Sequence, residues 1–191
     1  MSMGMRLLVT CFIIKYVTGD FPNQYIPNVF DNYPVNVTYN NIHIDVELWD
    51  ICGQEEYPIL RNKLYYPNTT CFILCFSLVY LDSFGHIKTF WLPEIRHFNQ
   101  DIPILLVGLQ SDLRESTGII VSKYSNGVYQ RITTEQGLQM AKEIGANGYI
   151  ECSSMNDFNL NLVIHKSIKL SYKYLNTHTN AKQQNEDCIM C

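Results

Sequence analysis

No apolar run in this 191-residue chain approaches the length of about 18 residues that a membrane-spanning helix needs. Excess positive charge is lacking too. The chain has 14 Lys and Arg against 18 Asp and Glu, a net charge of −4, so nothing draws the whole surface to nucleic acid or an anionic membrane. The histidines His43, His86, His97, His165 and His178 show no ligand spacing with cysteine or carboxylate, and no Ser/His/Asp arrangement presents itself. Seven cysteines, an odd count lying mostly inside apolar runs, read as reduced cytosolic thiols, and Cys71 and Cys75 read as packing. Lys15 closes the N-terminal apolar run Leu7–Ile14 after eight residues with no clean cleavage site following, which argues against a signal peptide. What remains, 47% apolar and 17% charged, is enough for one domain to bury a core without metal or disulfide staples.

Ile44, Val46 and Leu48 alternate with His43, Asp45 and Glu47, the period of a strand over His43–Asp50. Asn36–Tyr39 is β-prone and Asn40-Asn41 supplies a turn, which predicts a hairpin. Cys71–Phe76 and Ile104–Val107 are short apolar runs suited to strands buried on both faces. Between them Ser83 opens a helix carrying Phe84, Ile87, Trp91, Ile95 and Phe98. Thr133 with Gln136 has the capping-box pattern, and Leu138, Ala141 and Ile144 follow until Gly145 stops the helix. Tyr149–Cys152 is a short strand, and Leu160, Ile164, Ile168 and Tyr172 line a last helix. Buried strands alternating with helices predict an α/β domain, with a mainly parallel central sheet covered on both faces. Ligands of such sheets sit at the carboxyl ends of the strands, which singles out the loops after Trp49, Val107 and Glu151.

Asp50 at a strand end can hold Mg²⁺, Gly53 lets a backbone N–H approach a phosphate, and Gln54 can orient a water. The same Asp serves equally as a turn or cap residue. Asp112 can accept hydrogen bonds from the N1 and N2 donors of guanine, with the Gln110 stem along the base. Ser153 and Ser154 can bring backbone N–H groups toward guanine O6. Each loop alone says little, whereas three on one sheet edge make a pattern.

Together these segments resemble the Rho/Rac family of small GTPases. Phe21-Pro22 and Tyr25–Tyr33 are similar to the family's switch I, and Trp49–Glu55 resembles switch II. Val107–Arg114 resembles the base-recognition loop, and Glu135–Ala146 and Glu151–Ser153 are similar to the matching Rac segments. The likeness implies a P-loop NTPase-like small G domain over residues 1–175, with a Rho-type insert at about 115–130 and a flexible tail over 176–191. It implies GTP or GDP with Mg²⁺ as cofactors, and Thr10 and Asp50 as the Mg²⁺ ligands. Phe21, Gly53, Gln110, Asp112, Ser153 and Ser154 would surround the nucleotide, and Gln54 would orient water for slow hydrolysis.

Tyr25, Pro27, Val29, Phe30, Asp31, Tyr33, Trp49 and Tyr57 would face effectors that control actin. For Trp49 a half-buried core position is an equal reading. Exchange factors, GTPase-activating proteins and a dissociation inhibitor are the further partners implied, with no nucleic acid and a monomeric state. Cys188-Ile189-Met190-Cys191 has the form of a CaaX signal for prenylation of Cys188. Lys182 is the one Lys or Arg between Leu175 and Cys188, so a single lipid would give a cytoplasmic protein reversible attachment to the cytoplasmic face of membranes.

The pattern departs from the family where phosphate is bound. Met5–Val9 stand where the glycines and lysine of G-x-x-x-x-G-K-[ST] belong, and of that motif Thr10 survives. Asn28 replaces the switch I threonine, and Leu109 replaces a Thr or Asn. Such a loop supplies about four charge-assisted hydrogen bonds at roughly 2 kcal/mol each, about 8 kcal/mol in all, or five to six orders of magnitude in affinity. Arg6–Ile14 reads either as the first helix, leaving the sheet without a middle strand, or as that strand, leaving too few residues for the helix. A weakly binding pseudo-GTPase interaction module, a truncated gene product and a fragment needing a partner are the alternatives to a working switch.

Overall fold

Asn40 and Asn41 hold φ angles of 50° and 62°, the left-handed pair that a two-residue hairpin turn requires and that Asn adopts at little cost. The turn joins β1 (Phe30–Tyr39) to β2 (Ile42–Ile51) in antiparallel register, from Tyr39 opposite Ile42 to Phe30 opposite Ile51. The expected hairpin is present, and its first strand begins six residues earlier than the β-prone segment suggests. Residues 3–22, 30–51, 61, 63, 66–115 and 131–187 are described by this structure, a computed structural model.

The other strands are β3 (Phe72–Ser77), β4 (Ile104–Leu109) and β5 (Gly148–Glu151), parallel and in the order β3-β4-β5. The helices are α1 (Met3–Thr18), α2 (Leu81–His86), α3 (Leu92–Phe98), α4 (Ser111–Glu115), α5 (Thr134–Glu143) and α6 (Leu160–Asp187). All six residues of β4 are buried, because helices cover both faces. Leu105, Val107 and Cys75 pack with Phe12 and Ile13 of α1 and Ile164 of α6 on one side. Leu74, Phe76 and Leu106 pack with Ile95, Met140 and Ile144 on the other. Each such side chain contributes about 1.5–3 kcal/mol by leaving water.

Three local features differ from the sequence reading. Ser83 does not open its helix, which starts at Leu81. Its hydroxyl instead donates to the Tyr80 carbonyl (2.7 Å) and accepts from the Ser77 N–H (3.0 Å), tying the helix to the end of β3. That helix passes through a π turn, Ile87–Trp91, before α3. Pro93 explains the turn, because it has no N–H to donate and its ring would crowd the carbonyl of Thr89. Leu138 is 54% exposed, and the inward face of α5 is Gly137, Met140 and Ala141. The capping box is as expected: Thr133 Oγ1 accepts the Gln136 N–H (3.2 Å) and Gln136 Oε1 accepts the Thr133 N–H (2.8 Å).

The N-terminal segment is a helix. Among the described residues the sheet therefore comes in two parts, β1-β2 and β3-β4-β5, with no strand between them. Leu160, Ile164 and Ile168 of α6 are buried, while Tyr172 is 42% exposed beside Tyr39, their ring centroids 5.8 Å apart. Helical backbone continues to Asp187, through much of the stretch expected as a tail. Residues 116–130 of the expected insert lie outside the described residues. Burial pushes the Cys71 and Cys152 thiols up to about 12, which keeps them protonated and inert as packing residues.

Candidate functional site

Thr10, in α1, and Asp50, near the end of β2, are both buried (4% and 6% exposed), and the Thr10 hydroxyl donates to Asp50 Oδ2 at 2.6 Å. Two hard oxygen donors converge there from elements 40 residues apart, a donor set that suits Mg²⁺. Burial and the Asp50 charge together raise the neighbouring Cys11 thiol above its usual value. The phosphate end fits less well. Thr10 is the eighth residue of α1, so its backbone N–H belongs to the helical ladder, and the open amides of the first turn lie roughly 10 Å away along the axis. The described residues therefore provide no cradle of amides beside the Thr10–Asp50 pair.

The residues expected to meet the base gather at the carboxyl ends of three parallel strands. Gly108 of β4 is in register with Glu151 of β5, so both strands end level. The Cys152 N–H donates to the Gly108 carbonyl (2.8 Å) and the Ser111 N–H to the Cys152 carbonyl (3.2 Å), stitching the two loops together. Across that stitch Ser153 Oγ, fully buried, donates to Asp112 Oδ1 at 2.5 Å. This fixes one carboxylate oxygen and aims the group from the first turn of α4. Gln110 takes a left-handed φ of 65° and accepts from Ser77 Oγ at 2.6 Å, so its side-chain amide is tied to the end of β3. Ser154 is half-buried beside this pair.

A second layer holds that loop pair in place. Arg114 of α4 donates twice to Glu151, Nη1 to Oε1 at 2.7 Å and Nη2 to Oε2 at 2.5 Å, and the Tyr149 hydroxyl donates to the same Oε1 at 2.8 Å. Burial alone would raise the Glu151 carboxyl, but the donors Arg114 and Tyr149 outweigh it and hold the group below its ordinary value. Sequence reasoning quoted these residues inside motifs and gave them no role. A pairing across 37 positions shows only once the parallel register is known.

Phe21 is half-buried just beyond α1. The corner is anchored by Lys15, which donates to the Gly19 carbonyl (2.7 Å) and pairs with Asp157 (3.2 Å) in the loop after β5. Of the expected partner-facing residues, Asp31 accepts from the Tyr33 hydroxyl (3.1 Å), and Tyr33 packs against the core. Trp49, opposite Asn32, points to the other face of the hairpin and is 43% exposed. Phe30 starts β1. Tyr25, Pro27, Val29, Gly53, Gln54, Tyr57 and Cys188 lie outside the described residues. Among the described residues there is no cluster of three or more His, Cys, Asp or Glu side chains to hold a metal, and no helix long and apolar enough to cross a membrane.

The parallel sheet with helices on both faces, and the polar side chains gathered at its strand ends, give this chain the α/β architecture of a small G domain. A sequence model described as the Ras family matches residues 9–173, and the chain belongs to that family of small GTPases. It is 40% identical over 160 residues to the Ras-like GTP-binding protein RhoL of Drosophila melanogaster, a match that covers 84% of this chain and 78% of that protein. Members of the family generally bind GTP or GDP with Mg²⁺ and interact with effectors, exchange factors and GTPase-activating proteins.

Proposed function

We propose that the chain is a Rho/Rac-type guanine-nucleotide-binding signalling protein that works by recruiting effectors, with the actin cytoskeleton as its output. The observation that carries this reading is the Asp112–Ser153 pair, a buried hydroxyl fixing a carboxylate at the carboxyl edge of the sheet. Asp112 selects guanine by accepting from the base, while Ser153 and the Arg114–Glu151 pair keep it aimed. Thr10 and Asp50 would hold Mg²⁺, which supplies charge neutralisation for a bound polyphosphate. The Rho-type assignment is supported by the switch-like segments and by the relative named RhoL. The C-terminal Cys188-Ile189-Met190-Cys191 pattern supports a prenyl group on Cys188, which would attach the protein to membranes. A dissociation inhibitor is then a further partner.

A second reading is favoured by the position of Thr10 inside α1. Without an amide cradle the affinity for nucleotide falls by five to six orders of magnitude, from about 8 kcal/mol of lost charge-assisted hydrogen bonds. The chain then serves as an interaction module that keeps the effector face without cycling nucleotide. One experiment separates the two: denature the purified protein and identify released nucleotide by ion-exchange chromatography. Near-stoichiometric GDP or GTP supports the switch. A folded protein, checked by circular dichroism, that releases none refutes it and leaves the module.

A further inference from the structure

The net charge of −4 is unevenly spread along the chain. From Phe158 to Asn185 there are four lysines, Lys166, Lys169, Lys173 and Lys182, and no Asp or Glu. Most of that span is α6, which buries Val163, Ile164, Ser167 and Ile168. At about 100° per residue, Leu162, Lys166, Lys169 and Lys173 fall within roughly 60° of one another on the opposite side of the helix. Lys169 and Lys173 are exposed, and Lys166 is half-buried with its stem passing over Gly148 of β5. Leu162 is 50% exposed, as is Phe158 one turn earlier in the loop that leads into the helix. Lys15, Arg61, Lys88 and Arg114 each pair with a carboxylate, whereas the three lysines of this stripe form no ion pair with any described residue. Asp157, the last carboxylate before the span, is engaged by Lys15.

The stripe selects its occupant. A lysine head is a compact, strongly hydrated charge on a flexible stem, which suits a diffuse anionic surface; the planar fork of Arg suits one fixed carboxylate or phosphate. No Arg follows Arg131 in the chain. A nucleic acid would answer the lysines and leave Phe158 and Leu162 in water. A bilayer with anionic lipids answers both, because headgroups meet the ammonium groups while Phe and Leu enter the boundary between headgroups and acyl chains.

We infer that the outer face of α6 is a docking surface for an anionic lipid bilayer. The helix lies along the membrane, with Lys166, Lys169 and Lys173 among the headgroups and Phe158 and Leu162 at the apolar boundary. This docking needs no lipid on the chain. Helical backbone continues to Asp187, so Cys188 follows at the end of the same rod. A prenyl group there would meet the bilayer that the helix face already touches, and the face would be the second signal that a single lipid needs for stable attachment. That last step rests on the prenylated reading of Cys188; the docking face does not.

The test uses the full, unprenylated chain and sedimentation with vesicles, one set of phosphatidylcholine alone and one with about a quarter phosphatidylserine. At low salt the chain should bind the anionic set at least tenfold more tightly, and the difference should fade near 1 M salt, where screening acts over about 3 Å. Each lysine near such a surface is worth roughly fivefold, so Lys169→Gln/Lys173→Gln should lose about 25-fold. Lys63→Gln/Lys142→Gln removes the same charge from exposed positions elsewhere and should change little. Leu162→Gln leaves the charge alone and should weaken binding about fivefold. The substituted side chains lie at the surface, so circular dichroism of every variant should match wild type. Equal binding to the two vesicle sets, or equal losses in the two double variants, would overturn the proposal. Binding to polyglutamate or RNA that requires Lys169 and Lys173, with none to vesicles, would give the face to an acidic polymer and overturn it too. Nucleotide release is read in the absence of vesicles, so failure here leaves the guanine-nucleotide reading standing.

Discussion

Replacing Glu94 by Gln should destabilise the domain by about 3–5 kcal/mol. Arg61 is fully buried and donates from Nε to Glu94 Oε1 (2.7 Å) and from Nη2 to Oε2 (2.9 Å), while the Tyr66 hydroxyl donates to Oε1 (2.6 Å). The guanidinium also lies 5.9 Å and 5.6 Å from the ring centroids of Phe90 and Trp91. Gln keeps the shape, but it removes the Glu94 charge and turns an NH₂ group toward the donors of a buried cation. For a chain of this size that loss lowers Tm by roughly 10 °C. Urea unfolding at pH 7 measures it. The double variant Arg61→Met/Glu94→Leu should recover most of the loss, because an apolar pair of similar volume carries no desolvation cost. Burial raises the Glu94 carboxyl, but hydrogen bonds from Arg61 and Tyr66 outweigh it, so the folded-state value lies below the ordinary 4.5. The pair's stabilisation is therefore fully present above pH 4.5 and fades as pH falls through the depressed value, and the gap between wild type and Glu94→Gln should close there. A change under about 1 kcal/mol at pH 7, or a double variant no better than the single one, would refute the reasoning.

Asp112→Ala should abolish preference for GDP over ADP in a competition assay with a fluorescent guanine nucleotide; unchanged selectivity would mean the base is read elsewhere. Ser153→Ala frees one oxygen of Asp112 and should weaken guanine binding about tenfold without abolishing the preference. Gly137→Ala, which elsewhere in a helix gains about 1 kcal/mol, should destabilise, because the added Cβ would sit 2.2 Å from the Tyr149 ring. Tyr149→Leu in the same chain should reverse the sign, read by Tm. Thr10→Val removes the hydroxyl that Asp50 accepts and should cost about 1–3 kcal/mol in urea unfolding.

Local chemistry made much of this fold legible. Period-two alternation and Asn40-Asn41 give the hairpin, wholly apolar Ile104–Val107 gives the central buried strand, and Thr133 with Gln136 gives the start of α5. What the sequence hid depends on register or on competition between elements. Arg114–Glu151 and Arg61–Glu94 join residues 37 and 33 positions apart, and nothing in either neighbourhood points to the other. The segment around Leu7–Ile14, rich in β-branched residues, is equally good as strand or helix until Phe12 and Ile13 find their place against Cys75, Leu105 and Ile164. Leu138 misses the core because the buried face of α5 is Gly137, Met140 and Ala141, and Leu138 sits about 100° round the helix from Gly137.

The candidate site is split along the same line as the sheet. Asp112 and Ser153 belong to the β3-β4-β5 part, whereas Asp50 belongs to β2 of the other part, with Thr10 on the helix between. In the described residues the two ends are related through α1, which donates Thr10 Oγ1 to Asp50 and pairs Lys15 with Asp157 beyond β5. A nucleotide that touches both ends would therefore stabilise the two parts together, by RT ln(1 + [L]/Kd). GDP with Mg²⁺ should slow amide exchange in β2 and β4 alike, and protection of β4 alone would show that the two halves of the site act separately.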